Sequence, residues 1–234
     1  MPGDPNLITT TIMSSATQTT IPKPEEYQRL QLDPFKPILT LSRSITRPYQ
    51  PSDADALAEK ANSPLIARNM RNAFPSPYTC DDAKSWIQLA TTTTSDNAVK
   101  HAFLPDPSVY LNYAIVSPKD GSFLGGIGLR PLTDIEHRTF ELGYWLAEDA
   151  WGQGIMSELV QKFVGWAFHT FPDLLRLEAN VYDYNIKSSR VLASAGFRQD
   201  GIRRSAGAKD GKIFDMLVFG MIGSDVQAEN YDYQ

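Results

Sequence analysis

Residues 144–156 read Tyr144-Trp145-Leu146-Ala147-Glu148-Asp149-Ala150-Trp151-Gly152-Gln153-Gly154-Ile155-Met156. The apolar start is typical of a strand end, the two glycines form a short loop, and an amphipathic helix follows at once. The first turn of a helix offers unpaired N–H groups and the positive end of the helix dipole, so it binds anions well. Glycines let a bulky phosphate approach the backbone. The stretch therefore predicts a phosphate site, and a tight turn without a ligand is the alternative interpretation.

The flanking residues predict the strand and the helix themselves. In residues 139–146 apolar and polar side chains alternate, which places Glu141 and Tyr144 on opposite faces unless a bulge re-aims one of them. Residues 153–170 carry apolar side chains at helical spacing. The loop between them is not a Walker A loop, because no Gly-Lys-Ser/Thr follows it, and it does not match the dinucleotide fingerprint.

A second strand and helix follow further along the chain. Residues 175–182 alternate strictly between apolar and polar side chains, which predicts a half-buried strand. The chain then reads Asn185-Ile186-Lys187-Ser188-Ser189-Arg190-Val191-Leu192-Ala193-Ser194-Ala195-Gly196-Phe197. Asn185 is suited to cap the start of this helix, and Gly196 is suited to end it.

The rest of the chain predicts helices first and strands later. We expect a strand at 38–48, a short helix that ends near residue 62, a helix at 64–72, a helix that begins near residue 79 and a polar loop at 91–101. Two hairpins follow, one between strands 111–116 and 122–130 and one between strands 197–206 and 212–221. This order of elements predicts an α+β fold with a mixed sheet.

The composition narrows the class of protein. The chain has 234 residues, of which 42% are hydrophobic and 21% charged, as in an ordinary globular protein. A net charge of −5 does not suit a nucleic-acid binder. Cys80 is the only cysteine, so no intramolecular disulfide can form, and this suits a reducing compartment. We therefore predict a cytoplasmic protein without nucleic-acid or membrane partners. We also predict no metal, because the three histidines are scattered.

The ends of the chain differ from its middle. Residues 1–34 are rich in threonine and proline and lack the basic and apolar regions of a signal peptide. We predict a flexible N-terminal arm at 1–34, one domain at 35–222 and a polar tail at 223–234.

Taken together, the motifs resemble the GNAT superfamily of acyl-CoA-dependent N-acetyltransferases, and most closely its RimJ/RimL-like branch. The resemblance covers residues 38–222 and rests on Gly143-Tyr144-Trp145, Trp151-Gly152-Gln153-Gly154, Asn185 with Ser188, and Gly196-Phe197. It implies the GNAT fold, a mixed and mostly antiparallel twisted sheet flanked by helices on both faces. It also implies that the strand ending at Leu146 separates from its neighbour, and that the early helices and the last hairpin build the acceptor pocket.

The chain departs from the family pattern at two positions. Met156 stands where a small residue is usual, and it either crowds the pantetheine arm or turns into the core. Leu192 stands where many members place a tyrosine that acts as general acid.

The implied function is transfer of an acetyl group from acetyl-CoA, the co-substrate, to a primary amine by direct attack in a ternary complex. The acceptor is open: a protein N-terminus, a free amino acid, a polyamine or an amine xenobiotic. The enzyme is expected to be a monomer or a homodimer. The resemblance places the following residues at the acetyl-CoA: Tyr144, Trp145, Leu146, Trp151, Gly152, Gln153, Gly154, Ile155, Met156, Asn185 and Ser188.

Two residues are candidates for catalysis. Glu141 would be the general base, directly or through water. Ser188 would protonate the leaving thiolate or orient the cofactor, and the alternative for Ser188 is a serine that only completes the first helical turn. Lys187 or Arg190 would meet further phosphates, or would simply be solvated charges. The absent tyrosine motivates a second hypothesis, a non-catalytic module that senses acyl-CoA, and an interaction domain without cofactor fits the motifs least.

Overall fold

The computed structural model describes residues 36–91 and 110–226. The predicted arm and most of the predicted loop at 91–101 lie outside these ranges. The helices are α1 Ala54–Ala61, α2 Pro64–Ala67, α3 Cys80–Thr91, α4 Ile155–Thr170 and α5 Ile186–Ser194. The strands are β1 Leu39–Thr40, β2 Ile45–Pro48, β3 Asn112–Val116, β4 Phe123–Pro131, β5 Thr139–Leu146, β6 Arg176–Tyr182, β7 Arg198–Lys209 and β8 Lys212–Ile222.

The strands form one sheet in the order β1-β2-β3-β4-β5-β6-β8-β7. Every neighbouring pair is antiparallel except β5 and β6, which run parallel. A parallel pair needs a crossover connection, and here α4 supplies it. The predicted mixed, mostly antiparallel sheet is therefore confirmed.

Helices cover both faces of the sheet. On one face, Leu159 and Phe163 of α4 pack with Phe140 of β5 and Leu177 of β6, and all four side chains are fully buried. On the other face, α1 and α3 pack against β3 and β4 in a second cluster of buried residues. Each such side chain contributes about 1.5–3 kcal/mol when removed from water. The predicted two-sided arrangement is confirmed.

The two predicted hairpins are confirmed as well. β3 pairs with β4 across Asp120 and Gly121, and β7 pairs with β8 across Asp210 and Gly211. Asp210 has φ 51° and Gly211 has φ 73°. Positive φ at both positions is what a two-residue type I′ turn requires, and Asp-Gly adopts it readily. After β8, residues 223–225 form a 3-10 turn. The carboxylate of Asp225 in this turn forms an ion pair with Arg198 at 2.9 Å.

Three expectations about element bounds are wrong. The single strand predicted at 38–48 is two strands, because the chain turns back at Leu41, whose N–H donates to the carbonyl of Ser44 at 2.8 Å. The helix predicted at 64–72 ends at Ala67, because the N–H groups of Asn69 and Met70 donate to carbonyls three residues back, at Ile66 and Ala67, instead of four. Leu175, predicted inside a half-buried strand, precedes β6 and is 56% exposed.

Within residues 36–91 and 110–226, no helix combines the length and the apolar character needed to cross a membrane.

Candidate active site

A gap opens between β5 and β6. The two strands pair only from Thr139–Arg176 to Glu141–Glu178. Beyond that point β5 continues beside β4 to Leu146, while β6 continues beside β8 to Tyr182. The predicted separation of the strand that ends at Leu146 is therefore confirmed.

Backbone groups of β5 point into this gap. In an antiparallel ladder the N–H groups of successive residues point to alternate sides. The N–H of Ala147 donates to Leu124 of β4 at 2.8 Å, so the N–H of Leu146 points to the opposite side, into the gap. The carbonyl of Leu146 accepts a hydrogen bond from the indole Nε1 of Trp151 at 2.9 Å. Trp151 thus anchors the following loop to the strand end.

The loop after β5 brings two glycines to the start of α4. Gly152 and Gly154 both have φ 74°, a left-handed conformation that favours glycine. A Cβ atom added at Gly152 would meet nothing within 4 Å, whereas one added at Gly154 would lie 2.5 Å from the guanidinium of Arg43. Open space therefore lies beside Gly152, just before α4, and the Arg43 guanidinium lies against Gly154 at the start of the helix.

The next two residues turn their side chains inward. Ile155 and Met156 are 5% and 7% exposed and belong to the core cluster under α4. Of the two alternatives for Met156, the structure shows the second, because this side chain points into the core. Only the backbone N–H groups of these residues can face a ligand.

Cationic side chains surround the glycine turn. Arg43 Nη1 donates to the carbonyl of Gln153 at 2.7 Å. Lys187 Nζ lies 4.7 Å from the centre of the Trp151 ring, a cation–π distance, so Lys187 is held beside the loop. The glycine turn opens on a cleft of about 2180 Å³. These residues suit an extended anionic ligand.

Ser188 faces the gap from α5. Asn185 Oδ1 accepts the N–H of Ser188 at 3.2 Å, which confirms Asn185 as the cap of the helix. The Ser188 hydroxyl lies 2.8 Å from the Tyr144 hydroxyl. Burial raises the pKa of Tyr144 far more than this hydrogen bond lowers it, so Tyr144 stays protonated. Leu192 is fully buried and brings no polar group to the gap.

Glu141 lies at the narrow end of the gap, where β5 and β6 are last paired. It is 8% exposed. Arg71 and Arg130 both bond its carboxylate, with Arg130 Nε at 3.0 Å, and Asn180 Nδ2 donates to it at 3.3 Å. Burial raises the pKa of Glu141, but the hydrogen bonds and charges of Arg130 and Arg71 outweigh burial and hold it below its ordinary value.

The two catalytic candidates lie on opposite faces of the sheet. The pairing of β5 with β4 is regular from Phe140 to Leu146, so no bulge re-aims Glu141. Tyr144 and Ser188 face the α4 side, whereas Glu141 faces the α1 and α3 side. Trp145 also lies on that second side, where its ring is 6.2 Å from that of Phe74. The structure therefore separates the predicted residues into two groups, one on each side of the gap.

A segment that the sequence analysis did not single out crosses the α1 and α3 side of the gap. We call residues 68–71 the strap. The hydroxyl of Tyr184 donates to the carbonyl of Arg68 at 2.8 Å, and the hydroxyl of Tyr182 donates to that of Met70 at 3.1 Å. Lys209 Nζ bonds the same Met70 carbonyl at 2.6 Å. The strap thus ties the early helices to β6 and the last hairpin, the two regions expected to build the acceptor pocket.

Sequence reasoning missed the partners of Glu141. Arg130 could have been found, because the register of two adjacent antiparallel strands places it opposite Glu141. Arg71 gave no signal, since only the docking of the strap brings it there. In the described ranges no three His, Cys, Asp or Glu side chains gather as metal ligands, and His101 lies outside them.

Comparison with known proteins agrees with this geometry. The sequence model of the acetyltransferase (GNAT) domain matches residues 43–198, about two thirds of the chain. The uncharacterized N-acetyltransferase p20 of Bacillus licheniformis is 26% identical over 185 residues, which cover 79% of this chain and 95% of p20. The probable N-acetyltransferase YjcK of Bacillus subtilis is 33% identical over 114 residues, 49% of this chain and 62% of YjcK.

Solved structures share the fold. The ribosomal-protein-S5-alanine acetyltransferase from Vibrio fischeri has a TM-score of 0.63 at 22% identity, over 81% of this chain and 98% of that one. RimL, a ribosomal L7/L12 α-N-protein acetyltransferase solved in complex with coenzyme A, has a TM-score of 0.65 at 16% identity, over 80% of this chain and 98% of that one.

These matches confirm the resemblance, the GNAT fold and the enzyme class, an acetyl-CoA-dependent N-acetyltransferase. The matched range includes both the glycine turn at the start of α4 and the capped helix α5. Because the domain model matches about two thirds of the chain, and both of these elements face the gap, the chain belongs to the GNAT acetyltransferase family.

Proposed function

We propose that this protein transfers the acetyl group of acetyl-CoA to a primary amine, of a protein N-terminus or a small molecule, by direct attack in a ternary complex. The observation that carries the proposal is the gap between β5 and β6, which runs into the glycine turn at the start of α4. The gap exposes backbone groups on one side, and the turn offers an anion site at its end.

The chain's own groups fit acetyl-CoA as follows. The N–H groups of residues 152–156 would bind the diphosphate at the N-terminus of α4. The backbone of Tyr144 would pair with the pantetheine arm in the gap, and Leu146 would lie at its thioester end. Trp151, Asn185 and Ser188 line the same cleft. When bound, acetyl-CoA supplies an acetyl thioester. That RimL is solved with coenzyme A supports this assignment.

The N–H of Leu146 is the proposed donor to the thioester carbonyl oxygen. It points into the gap, and the other polar group of this residue is already held by Trp151. A fixed backbone donor stabilises negative charge that develops on an oxygen without having to reorient during the reaction.

We assign one proton transfer to each side of the gap. On the α1 and α3 side, Glu141 would accept the proton of the amine, directly or through water. On the α4 side, Ser188, hydrogen-bonded to Tyr144, would give a proton to the leaving thiolate. Two faces are useful here, because the amine adds to one face of the planar thioester carbonyl and loses its proton there. The sulfur then leaves from the tetrahedral intermediate and takes its proton from a separate donor.

One observation favours the second candidate, a sensor that binds acyl-CoA without turnover. The buried Leu192 stands where many relatives carry the tyrosine acid. Calorimetric titration with acetyl-CoA, followed by thiol release with a panel of amines, separates the two. Binding with thiol release supports transfer, binding without release supports the sensor, and no binding contradicts both. The cytoplasmic location and the monomeric or homodimeric state stay predictions.

A further inference from the structure

We propose that the acceptor carries an aromatic or large apolar group next to its amine. This inference rests on the proposed acetyl transfer and narrows its acceptor. It assigns a pocket on the α1 and α3 side of the gap, which we call the aromatic pocket.

Aromatic side chains form the wall of this pocket. They come from the end of β2, the loop before α3, α3 itself and β5. The residues that line it are Tyr49, Phe74, Tyr78, Trp86 and Trp145. The rings contact one another: Phe74 lies 4.9 Å from Tyr78 and 6.2 Å from Trp145, and Tyr49 lies 6.4 Å from Trp86, between ring centres. These contacts hold the rings in place. Tyr49 and Tyr78 are buried, whereas Phe74, Trp86 and Trp145 are half-buried, so part of these three rings is open to a further ring.

Glycines form the floor of the pocket. A Cβ atom added at Gly126 would lie 2.3 Å from the Tyr49 hydroxyl, and one added at Gly128 would lie 2.2 Å from Asn112 Oδ1. The wall residue Tyr49 therefore rests directly on the backbone at Gly126, and Asn112 covers Gly128. At Gly143 an added Cβ would meet nothing within 4 Å, so free space lies above this residue.

This free space adjoins the reacting centre. Gly143 lies between Glu141 and Trp145 on the same face of β5. Leu146, whose N–H is the proposed donor, is only three residues further along the strand, about 10 Å away. A molecule that places a ring against Trp145 can therefore hold its amine at the gap.

The charges along the cleft argue against a second cationic group on the acceptor. Three of its carboxylates already have partners: Asp82 bonds Thr79, Glu178 bonds Asn180 and Arg176, and Glu141 bonds two arginines. Glu136 lies in the exposed loop between β4 and β5. Six cationic side chains line the same cleft against these four carboxylates: Arg68, Arg71, Arg130, Lys187, Arg190 and Arg203. Polycations such as polyamines are therefore poor acceptors, although aromatic rings alone would attract a cation.

Matched amines test the proposal. We would compare phenylalaninamide, alaninamide and spermidine by thiol release from acetyl-CoA, and repeat the comparison with the peptides Phe-Gly-Gly and Ala-Gly-Gly. We expect kcat/KM to be about tenfold or more higher for the phenylalanine member of at least one pair, with spermidine below it. The pair that shows the difference identifies the source of the group, a small amine or a peptide N-terminus. Equal rates within both pairs, or spermidine as the best acceptor, would overturn the inference and leave acetyl transfer standing. If acetyl-CoA binds and no amine reacts, acetyl transfer itself fails, and this inference fails with it.

A variant of the wall provides the second test. In Trp86→Ala we expect KM for the preferred aromatic amine to rise about tenfold, with KM for its alanine counterpart changed less than about twofold. Unchanged acetyl-CoA affinity by calorimetry shows that the variant folds. Ile135→Ala is the control, since Ile135 is 90% exposed and outside the cleft. An equal rise of KM for both amines would mean that Trp86 has only a structural role, and would overturn the assignment.

Discussion

The hydroxyl of Tyr144 on β5 lies 2.8 Å from the hydroxyl of Ser188 on α5. This hydrogen bond spans the α4 side of the gap, between two strands that have already separated. It brings two hydroxyl groups together one helical turn before Leu192, the position where the resemblance implies a tyrosine, and it gives the Ser188 hydroxyl a partner outside its own helix.

Removal of the Ser188 hydroxyl should slow turnover. We expect Ser188→Ala to lower kcat by about tenfold, since water replaces a hydroxyl only in part, and to leave the acetyl-CoA dissociation constant nearly unchanged. Steady-state kinetics and calorimetry measure the two quantities. Tyr144→Phe, which removes the partner hydroxyl, is the companion variant. If both variants turn over like the wild type, these hydroxyls have no part in the proton transfer, and solvent protonates the thiolate.

Removal of the helix cap at Asn185 should lower the stability of the protein. Asn185 accepts the Ser188 N–H with its side chain, so Asn185→Ala should lower the free energy of unfolding by about 0.5–2 kcal/mol. Asn185→Asp keeps a cap acceptor and should retain most of the stability. Urea unfolding measures this. Unchanged stability in Asn185→Ala would contradict the assignment of this residue as the cap.

The glycine turn can be tested with a control matched in backbone conformation. Gly154→Val should raise the acetyl-CoA dissociation constant by about tenfold or more, about 1.4 kcal/mol, because the new side chain blocks the phosphate and meets Arg43. Gly121 has the same φ of 74° in the turn between β3 and β4. Gly121→Val should therefore carry the same backbone strain without the loss of affinity. Equal affinity in both variants would exclude the assigned phosphate site.

The role of Glu141 as base has a kinetic signature. If Glu141 accepts the proton of the amine, Glu141→Gln should lower kcat by about 10² to 10⁴ and leave acetyl-CoA binding intact. Its pKa lies below the ordinary value, so Glu141 is ionised throughout the neutral range. The reaction rate should therefore rise with pH around the pKa of the acceptor amine. The midpoint of this rise should shift when an amine of different pKa is used. Glu178, which faces Glu141 in the register of β6, supplies the matched variant Glu178→Gln, expected to affect kcat less.

The same carboxylate should make the fold sensitive to acid. Since the pKa of Glu141 is lower in the folded protein than in the unfolded chain, the unfolded chain binds the proton more readily. The stabilisation from the two arginines is thus present above the ordinary glutamate pKa of about 4.3 and is lost as the pH falls through the lower folded value. Urea unfolding between about pH 3 and 6 should show a smaller loss of stability on acidification for Glu141→Gln than for the wild type. The control is Glu136→Gln, in an exposed loop, which should lose stability on acidification as the wild type does.

Local patterns in the sequence were enough to predict most elements near the site. The bounds of β5 agree with the alternation of residues 139–146, and Asn185 caps α5 as its position suggests. Both hairpins follow from Asp-Gly turns. These features depend on residues within a few positions of one another, so the chain itself carries the signal. In the shortened α2, the backbone bonds change after Ala67 from the four-residue spacing of an α-helix to a three-residue spacing.

The sequence by itself determined the family, the glycine turn with the helix that follows it, and the face of β5 on which each side chain lies. Periodicity and motif spacing depend on residues that are close together in the chain, so they can be read directly from the amino-acid sequence. Only the tertiary structure decided that Arg71, seventy residues from Glu141, would hold that carboxylate, and that five aromatic side chains from four elements would line one pocket. These contacts depend on how the strap and α3 pack against the sheet. That packing is decided by the whole core rather than by any local pattern.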